Sequence, residues 1–151
     1  MAVYRQMEKG KLKNNDTLTI EKEELDNKFG DLWKKGEGTK ITVEEAINFA
    51  LVFSDNTAAN VLTSAIPAIA IDNVFDSLDI GTNKKEDVTV VSPKSYSSIL
   101  RSLYLSSYLS ENSSNEILNI LTKTLFDDKI VAGIPKNVKV AHKIGVFESG
   151  T

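Results

Sequence analysis

The tightest constraint on this chain is a strand with no visible partner. Val138-Lys139-Val140-Ala141-His142 is the most strand-like segment in the 151 residues. Its backbone N–H and C=O groups need partners that a lone strand cannot provide. No strong partner strand is legible elsewhere, and the rest of the chain reads as helices. Two readings stay open: a small helical protein with frayed ends, or a piece of a larger fold truncated at both ends. The N-terminal segment argues for the piece. Residues 2–9 read as an amphipathic helix already in progress, with Val3, Tyr4 and Met7 at helical spacing and Gly10 at the C′ position. Nothing before Ala2 supplies an N-cap.

The helices are bounded by local chemistry. Thr42 is an N-cap and Glu45, three residues on, completes a capping box. Ile47, Ala50 and Leu51 mark the buried face of that helix. Ser54-Asp55-Asn56 breaks it, a second helix runs from Thr57 to about Ile66, and Pro67 ends it. A short helix over 69–78 closes at Gly81, and Asn83 to Asp87 reads as a polar loop. Ser92-Pro93 is a cap followed by proline at the first helical position. The helix after it carries Tyr96, Ile99, Leu100, Leu103 and Tyr104 at core spacing. Another helix spans about Ser114 to Leu125, and Gly133 with Pro135 turns the chain into the late strand. Between the first two helices, Thr17 to Ile20 is extended, and the charged stretch 21–38 is anchored by Phe29, Leu32 and Trp33.

Composition removes whole classes of chemistry. With no cysteine, thiolate metal sites, disulfide frameworks and cysteine nucleophiles are excluded. One histidine, His142, rules out a multi-histidine metal centre. A net charge of −3 spread along the chain argues against a nucleic-acid or anionic-membrane partner. No apolar run approaches the roughly 20 residues of a membrane helix, and the first residues lack the apolar core of a signal peptide.

Two short motifs remain: Ser54-Asp55-Asn56 between two helices, and Lys143-Ile144-Gly145 at the end of the strand, 89 residues apart. Ser-Asp-Asn and Lys-Thr-Gly, in that order, are signatures of penicillin-recognising enzymes. Each is weak alone, because Ser, Asp and Asn suit any helix–helix turn and could simply cap the helix at Thr57. Their flanks strengthen the pair. Thr42-Val43-Glu44-Glu45 and Ser54 to Leu62, then Val140-Ala141-His142-Lys143-Ile144-Gly145, resemble the second- and third-motif regions of that family. Tyr4 to Leu12 resembles the helix that follows its nucleophile, and Ser92-Pro93-Lys94 and Leu109-Ser110 fit as well. The chain thus resembles the penicillin-recognising serine acyltransferases, most closely the class A β-lactamase type.

This resemblance implies a fold and a division of labour. The fold would be the helical lobe of the two-lobe α/β β-lactamase and D,D-peptidase architecture, plus one strand of its antiparallel sheet. Residues 1–136 would form the helical lobe, with 1–10 the remainder of the nucleophile-bearing helix. Residues 137–151 would be the first returning strand and turn of the α/β lobe. The family's Ser-x-x-Lys nucleophile motif would lie before Met1, and no Ser-x-x-Lys occurs within the 151 residues. Ser54 would relay a proton to the leaving nitrogen, and Lys143 would hold positive charge near Ser54 and the substrate carboxylate. Asn56 would bind the substrate amide, while Asp55 would turn inward as a structural residue. Gly145 would let substrate lie along the strand, and the Val146 N–H would be an oxyanion donor. The implied partner is a small β-lactam or D-alanyl-D-alanine peptide, with no metal and no organic cofactor. Family members are exported, placing the parent protein outside the cell, in the periplasm or at the envelope.

Two departures matter. Ile144 stands where the family has a threonine or serine hydroxyl that helps bind the substrate carboxylate. The interval between Gly81 and Ser92 offers only Glu86 and Asp87, not the Glu-x-x-Leu-Asn segment whose glutamate activates the deacylating water. A β-lactamase-like hydrolase is therefore set against a penicillin-binding D,D-peptidase-like protein with slow deacylation, a non-catalytic descendant that binds cell-wall peptide or protein, and a plain helical bundle. Distance separates the last of these: it leaves Ser54 and Lys143 far apart. If partner strands are missing, an apolar face is uncovered and stability is marginal. Urea unfolding should then be poorly cooperative, and a sharp transition with an m-value normal for the size contradicts that expectation.

Overall fold

A computed structural model describes residues 1–81, 83–85 and 88–145. Six helices dominate them: α1 (Ala2–Glu8), α2 (Val43–Val52), α3 (Asn56–Ser64), α4 (Ile69–Ser77), α5 (Pro93–Tyr104) and α6 (Glu111–Leu121). β1 (Thr17–Thr19) pairs antiparallel with β2 (Lys40–Thr42), Leu18 opposite Ile41. β3 (Asn83–Lys85) pairs antiparallel with β4 (Val88–Val90). The architecture is that of a mainly α lobe, as the helix signals imply.

Local chemistry sets the helix ends. Thr42 Oγ1 accepts from the Glu45 N–H at 3.1 Å, and a Glu45 carboxylate oxygen accepts from the Thr42 N–H at 2.7 Å. The capping box therefore starts α2 where the sequence places it. Ser92 caps α5 with Pro93 behind it, and Ser110 caps α6. Gly10, at φ +68°, ends α1 in a Schellman motif. Its N–H donates to the Met7 carbonyl and the Lys11 N–H to the Gln6 carbonyl.

The core forms where α2 packs on α3 and α6. Val43, Ala46 and Ile47 of α2 meet Ala58, Val61 and Leu62 of α3 and Ile117, Ile120 and Leu121 of α6. Ile20 and Leu32, both fully buried, close the end of this core nearest the loops. Each such aliphatic side chain gains about 1.5–3 kcal/mol on burial before entropy is counted.

Several expectations are corrected. Val138 to His142 is not a strand and joins no ladder among the described residues. Its anchor is a helix end, the His142 N–H donating to the Leu121 carbonyl at 3.3 Å. The partner of Thr17–Thr19 is Lys40–Thr42, three residues too short to show alternation. Asn83 to Lys85 is a hairpin strand, because Val88–Val90 returns beside it. Helix α6 starts at Glu111 and stops at Leu121, so Leu125 lies beyond it and is exposed. Along α5, Leu103 is buried, whereas Tyr96, Leu100 and Tyr104 face outward. On α2, Ala50 and Leu51 are half-buried, and Val43 and Ala46 fill the core instead.

Glu8 ties the end of α1 to the start of α6. It accepts from the Ser110 N–H at 2.7 Å and from Arg5 at 3.0 Å. Burial pushes its pKa up, but the bonds from Ser110, Ser113 and Arg5 outweigh this and pull it from 4.5 to about 2. The folded value lies below the unfolded one, so the stabilisation is complete above pH 4.5 and is lost as pH falls toward 2. Discounted for solvent, Glu8→Gln should cost about 1 kcal/mol at neutral pH. In urea titrations the difference from the unmodified chain should vanish near pH 2, and a pH-independent difference would refute the linkage.

Candidate active site

The break between α2 and α3 builds the site. Helix α2 ends at Val52 with Phe53 as its C-cap, and Ser54 then takes the left-handed conformation at φ +59°. A non-glycine residue there costs about 1–2 kcal/mol and persists when its surroundings hold it. They hold it through Asp55, whose N–H donates to the Phe49 carbonyl at 3.1 Å. The Asp55 side chain is 1% exposed. One carboxylate oxygen accepts from the Ala58 N–H at 2.9 Å, capping α3, and the other accepts from the Leu32 N–H at 2.8 Å. Asp55 is thus both a helix cap and a clamp on the preceding loop, which unites the two sequence readings of it.

The clamp requires Gly30. At φ +88°, a Cβ on Gly30 would overlap the Asp55 carboxylate and its Cα. The sequence reading passed over Gly30, although Phe29-Gly30-Asp31 carried a signal in a glycine beside an apolar anchor. Asp26 was also missed. Lying in the charged stretch 21–38, it accepts from Asn56 Nδ2 at 3.2 Å, and its own N–H donates to Thr57 Oγ1 at 2.9 Å. Asn56 is held from its backbone too, its N–H donating to the Phe29 carbonyl at 3.0 Å.

Lys143 arrives from the far end of the chain. Its ammonium donates to Ser54 Oγ and, at 3.0 Å, to the Ile144 carbonyl. Desolvation lowers its pKa below the ordinary lysine value. Neighbouring His142 fixes the approach. It is half-buried, and Thr124 Oγ1 lies 2.7 Å from its Nε2. His142 is therefore an anchor one residue from Lys143. Gly145 follows, and a Cβ there would meet only open space, so packing within the described residues does not demand glycine. Val146 lies outside the described residues, as do Glu86 and Asp87.

Beside the clamp lies a cavity of about 420 Å³ lined by Phe29, Phe49, Phe53 and Gly30, with Asp31 and Asp55. Phe29 stacks at 5.7 Å on Phe126, and Phe53 is 44% exposed. Phe29 is thus a cavity wall rather than core. Trp33 is half-buried and does not line it. No cluster of three or more metal-ligating side chains occurs among the described residues.

The structure therefore brings Ser54, Asp55, Asn56 and Lys143 to one place, which the coincidental-motif reading does not allow. A model of the beta-lactamase enzyme family matches residues 1–150. The chain belongs to that family. Solved structures share its fold. PBP-A, as a point mutant in an acyl-enzyme complex with penicillin G, superposes with a TM-score of 0.86 at 21% identity, over 96% of this chain and 58% of that one. A beta-lactamase from Sphaerobacter thermophilus gives 0.81 at 23% identity, over 89% and 55%. A variant of the last common ancestor of Gram-negative class A beta-lactamase gives 0.83 at 28% identity, over 99% and 61%. Curated proteins give no match. The chain spans less than two thirds of the length of these beta-lactamase-family structures.

Two substitutions test the clamp. Asp55→Ala strands two buried N–H groups and should cost about 2–4 kcal/mol. Gly30→Ala combines left-handed strain with a backbone overlap and should cost about as much. Urea denaturation measures both, and a loss under about 0.5 kcal/mol for either would remove the clamp from the account.

Proposed function

We propose that this chain carries the helical lobe, residues 1–136, and the first segment of the second lobe, 137–151, of a serine acyl-transfer enzyme acting on β-lactams or D-alanyl peptides. The observation that carries the proposal is the hydrogen bond from Lys143 to Ser54 across 89 residues. A lysine with a lowered pKa beside a serine hydroxyl is a proton-relay pair. Ser54 takes up the proton that the lysine of the Ser-x-x-Lys motif has received from the attacking serine and gives its own to the leaving nitrogen. Lys143 offsets negative charge that develops on Oγ between the two transfers. Asn56 presents its amide to the substrate while Asp26 steadies it. Asp55 touches no substrate and positions the other two. Gly145 and the Val146 N–H extend the site along the substrate backbone, Val146 as oxyanion donor.

The attacking serine of this scheme belongs to the Ser-x-x-Lys motif that the 151 residues do not contain. The scheme also lacks the Glu-x-x-Leu-Asn base, and Ile144 brings no hydroxyl. Both favour a penicillin-binding protein with slow deacylation over a rapid hydrolase.

Mass spectrometry of the 151-residue chain after incubation with labelled penicillin should show no stoichiometric adduct. Such an adduct would overturn the assignment of Ser54 as relay rather than nucleophile. In a longer chain that carries Ser-x-x-Lys on the same helix, labelling should occur, and Ser54→Ala should slow it by roughly 10²–10⁴. Unchanged labelling would remove Ser54 from the proton path.

A further inference from the structure

The segment that follows α6 touches both halves of the site. Thr124, just past the end of α6, is 8% exposed, Leu125 is exposed, and Phe126 is half-buried. Phe126 stacks on Phe29 at 5.7 Å, and the Phe29 carbonyl accepts from the Asn56 N–H. Thr124 serves the other half. Its Oγ1 lies 2.7 Å from Nε2 of His142, the neighbour of Lys143 in the chain.

The bonds around Thr124 fix which group donates. A threonine hydroxyl has one proton to give. Thr124 gives it to the Leu121 carbonyl at 3.3 Å. Oγ1 is therefore the acceptor toward His142, and the imidazole carries its hydrogen on Nε2. The same Leu121 carbonyl accepts from the His142 N–H at 3.3 Å. Residue 142 is thus held at its backbone and at its ring. The backbone bond alone is a pivot, and the ring bond supplies the second point that fixes the direction in which the chain leaves. Lys143 leaves toward Ser54, and its Nζ donates to Ser54 Oγ. Ser54 itself follows the C-terminal end of α2, which packs on α6 in the core. Two packed helices therefore present the two partners from their C-terminal ends. On the α6 side the link passes through the Thr124 hydroxyl.

We infer that Thr124 is a positioning residue for the proton-relay pair: its hydroxyl, acting through the His142 ring, sets where Lys143 Nζ meets Ser54 Oγ. The inference rests on the acyl-transfer reading for its chemical meaning, but its geometry is testable without turnover. The test is NMR of the 151-residue chain. It reads the nuclear Overhauser contact between Lys143 Hε and Ser54 Hβ, with the Lys143 pKa as a second readout. Thr124→Val keeps the side-chain shape and removes the hydroxyl. His142→Phe keeps a ring and removes its nitrogens. Both should lose the contact, and Lys143 should titrate closer to the ordinary lysine value as the ammonium regains water. Thr124→Ser keeps the hydroxyl and should retain both the contact and the titration of the unmodified chain. Persistence of the contact in Thr124→Val or in His142→Phe, or its loss in Thr124→Ser, overturns the role of Thr124 and leaves the acyl-transfer reading standing. Absence of the contact from the unmodified chain breaks the Ser54–Lys143 pair, and both fall together.

Discussion

The buried Asp55 carboxylate is the interaction on which the rest depends. It accepts from Leu32 on one side and Ala58 on the other, joining the loop before β2 to the first turn of α3. A charge-assisted bond to a helix N-terminus is among the stronger local interactions a chain can make. The carboxylate fits because Gly30 has no Cβ, and its backbone N–H, held by Phe49, fixes the turn in which Ser54 is left-handed. Everything chemical sits on top of this. Ser54 Oγ accepts from Lys143 at this turn, and Asn56 is held by Asp26 and Phe29 from the same loop.

The second half of the site depends on a weaker device. Lys143 belongs to an irregular segment with no strand beside it among the described residues. The segment is tethered to the end of α6 by His142, through its backbone to Leu121 and its ring to Thr124. Two interactions of ordinary strength therefore place the ammonium, against the many that place Ser54. In a complete sheet, ladder bonds along 138–142 would add to them. The exposed Tyr96, Leu100 and Tyr104 of α5 and the exposed Val138 leave apolar surface on the same chain.

The sequence made the helices and their starts legible because caps are local chemistry. Thr42 with Glu45, Ser92 with Pro93 and Gly10 each act within four residues, so their effect is written beside them. The Ser54–Lys143 meeting was legible too, but through resemblance of flanking text, since no spacing rule joins residues 89 apart. What was not legible is tertiary. Gly30 looks like any loop glycine until the Asp55 carboxylate is placed against it. Asp26 looks like surface charge until Asn56 and Thr57 approach. The periodicity of α5 implied a core face, yet nothing among the described residues covers Tyr96, Leu100 and Tyr104. Val138 to His142 has strand composition, and composition cannot supply the partner that makes a strand.

The central claim is that the Asp55 clamp brings Ser54 and Lys143 into one hydrogen-bonded pair. The most direct measurement is the Lys143 side-chain pKa by NMR titration, in the unmodified chain and in Asp55→Asn, the milder change. The account predicts a pKa below the ordinary lysine value in the unmodified chain and a return toward it in Asp55→Asn. An ordinary lysine pKa in the unmodified chain, or a lowered one that Asp55→Asn leaves unmoved, would contradict it.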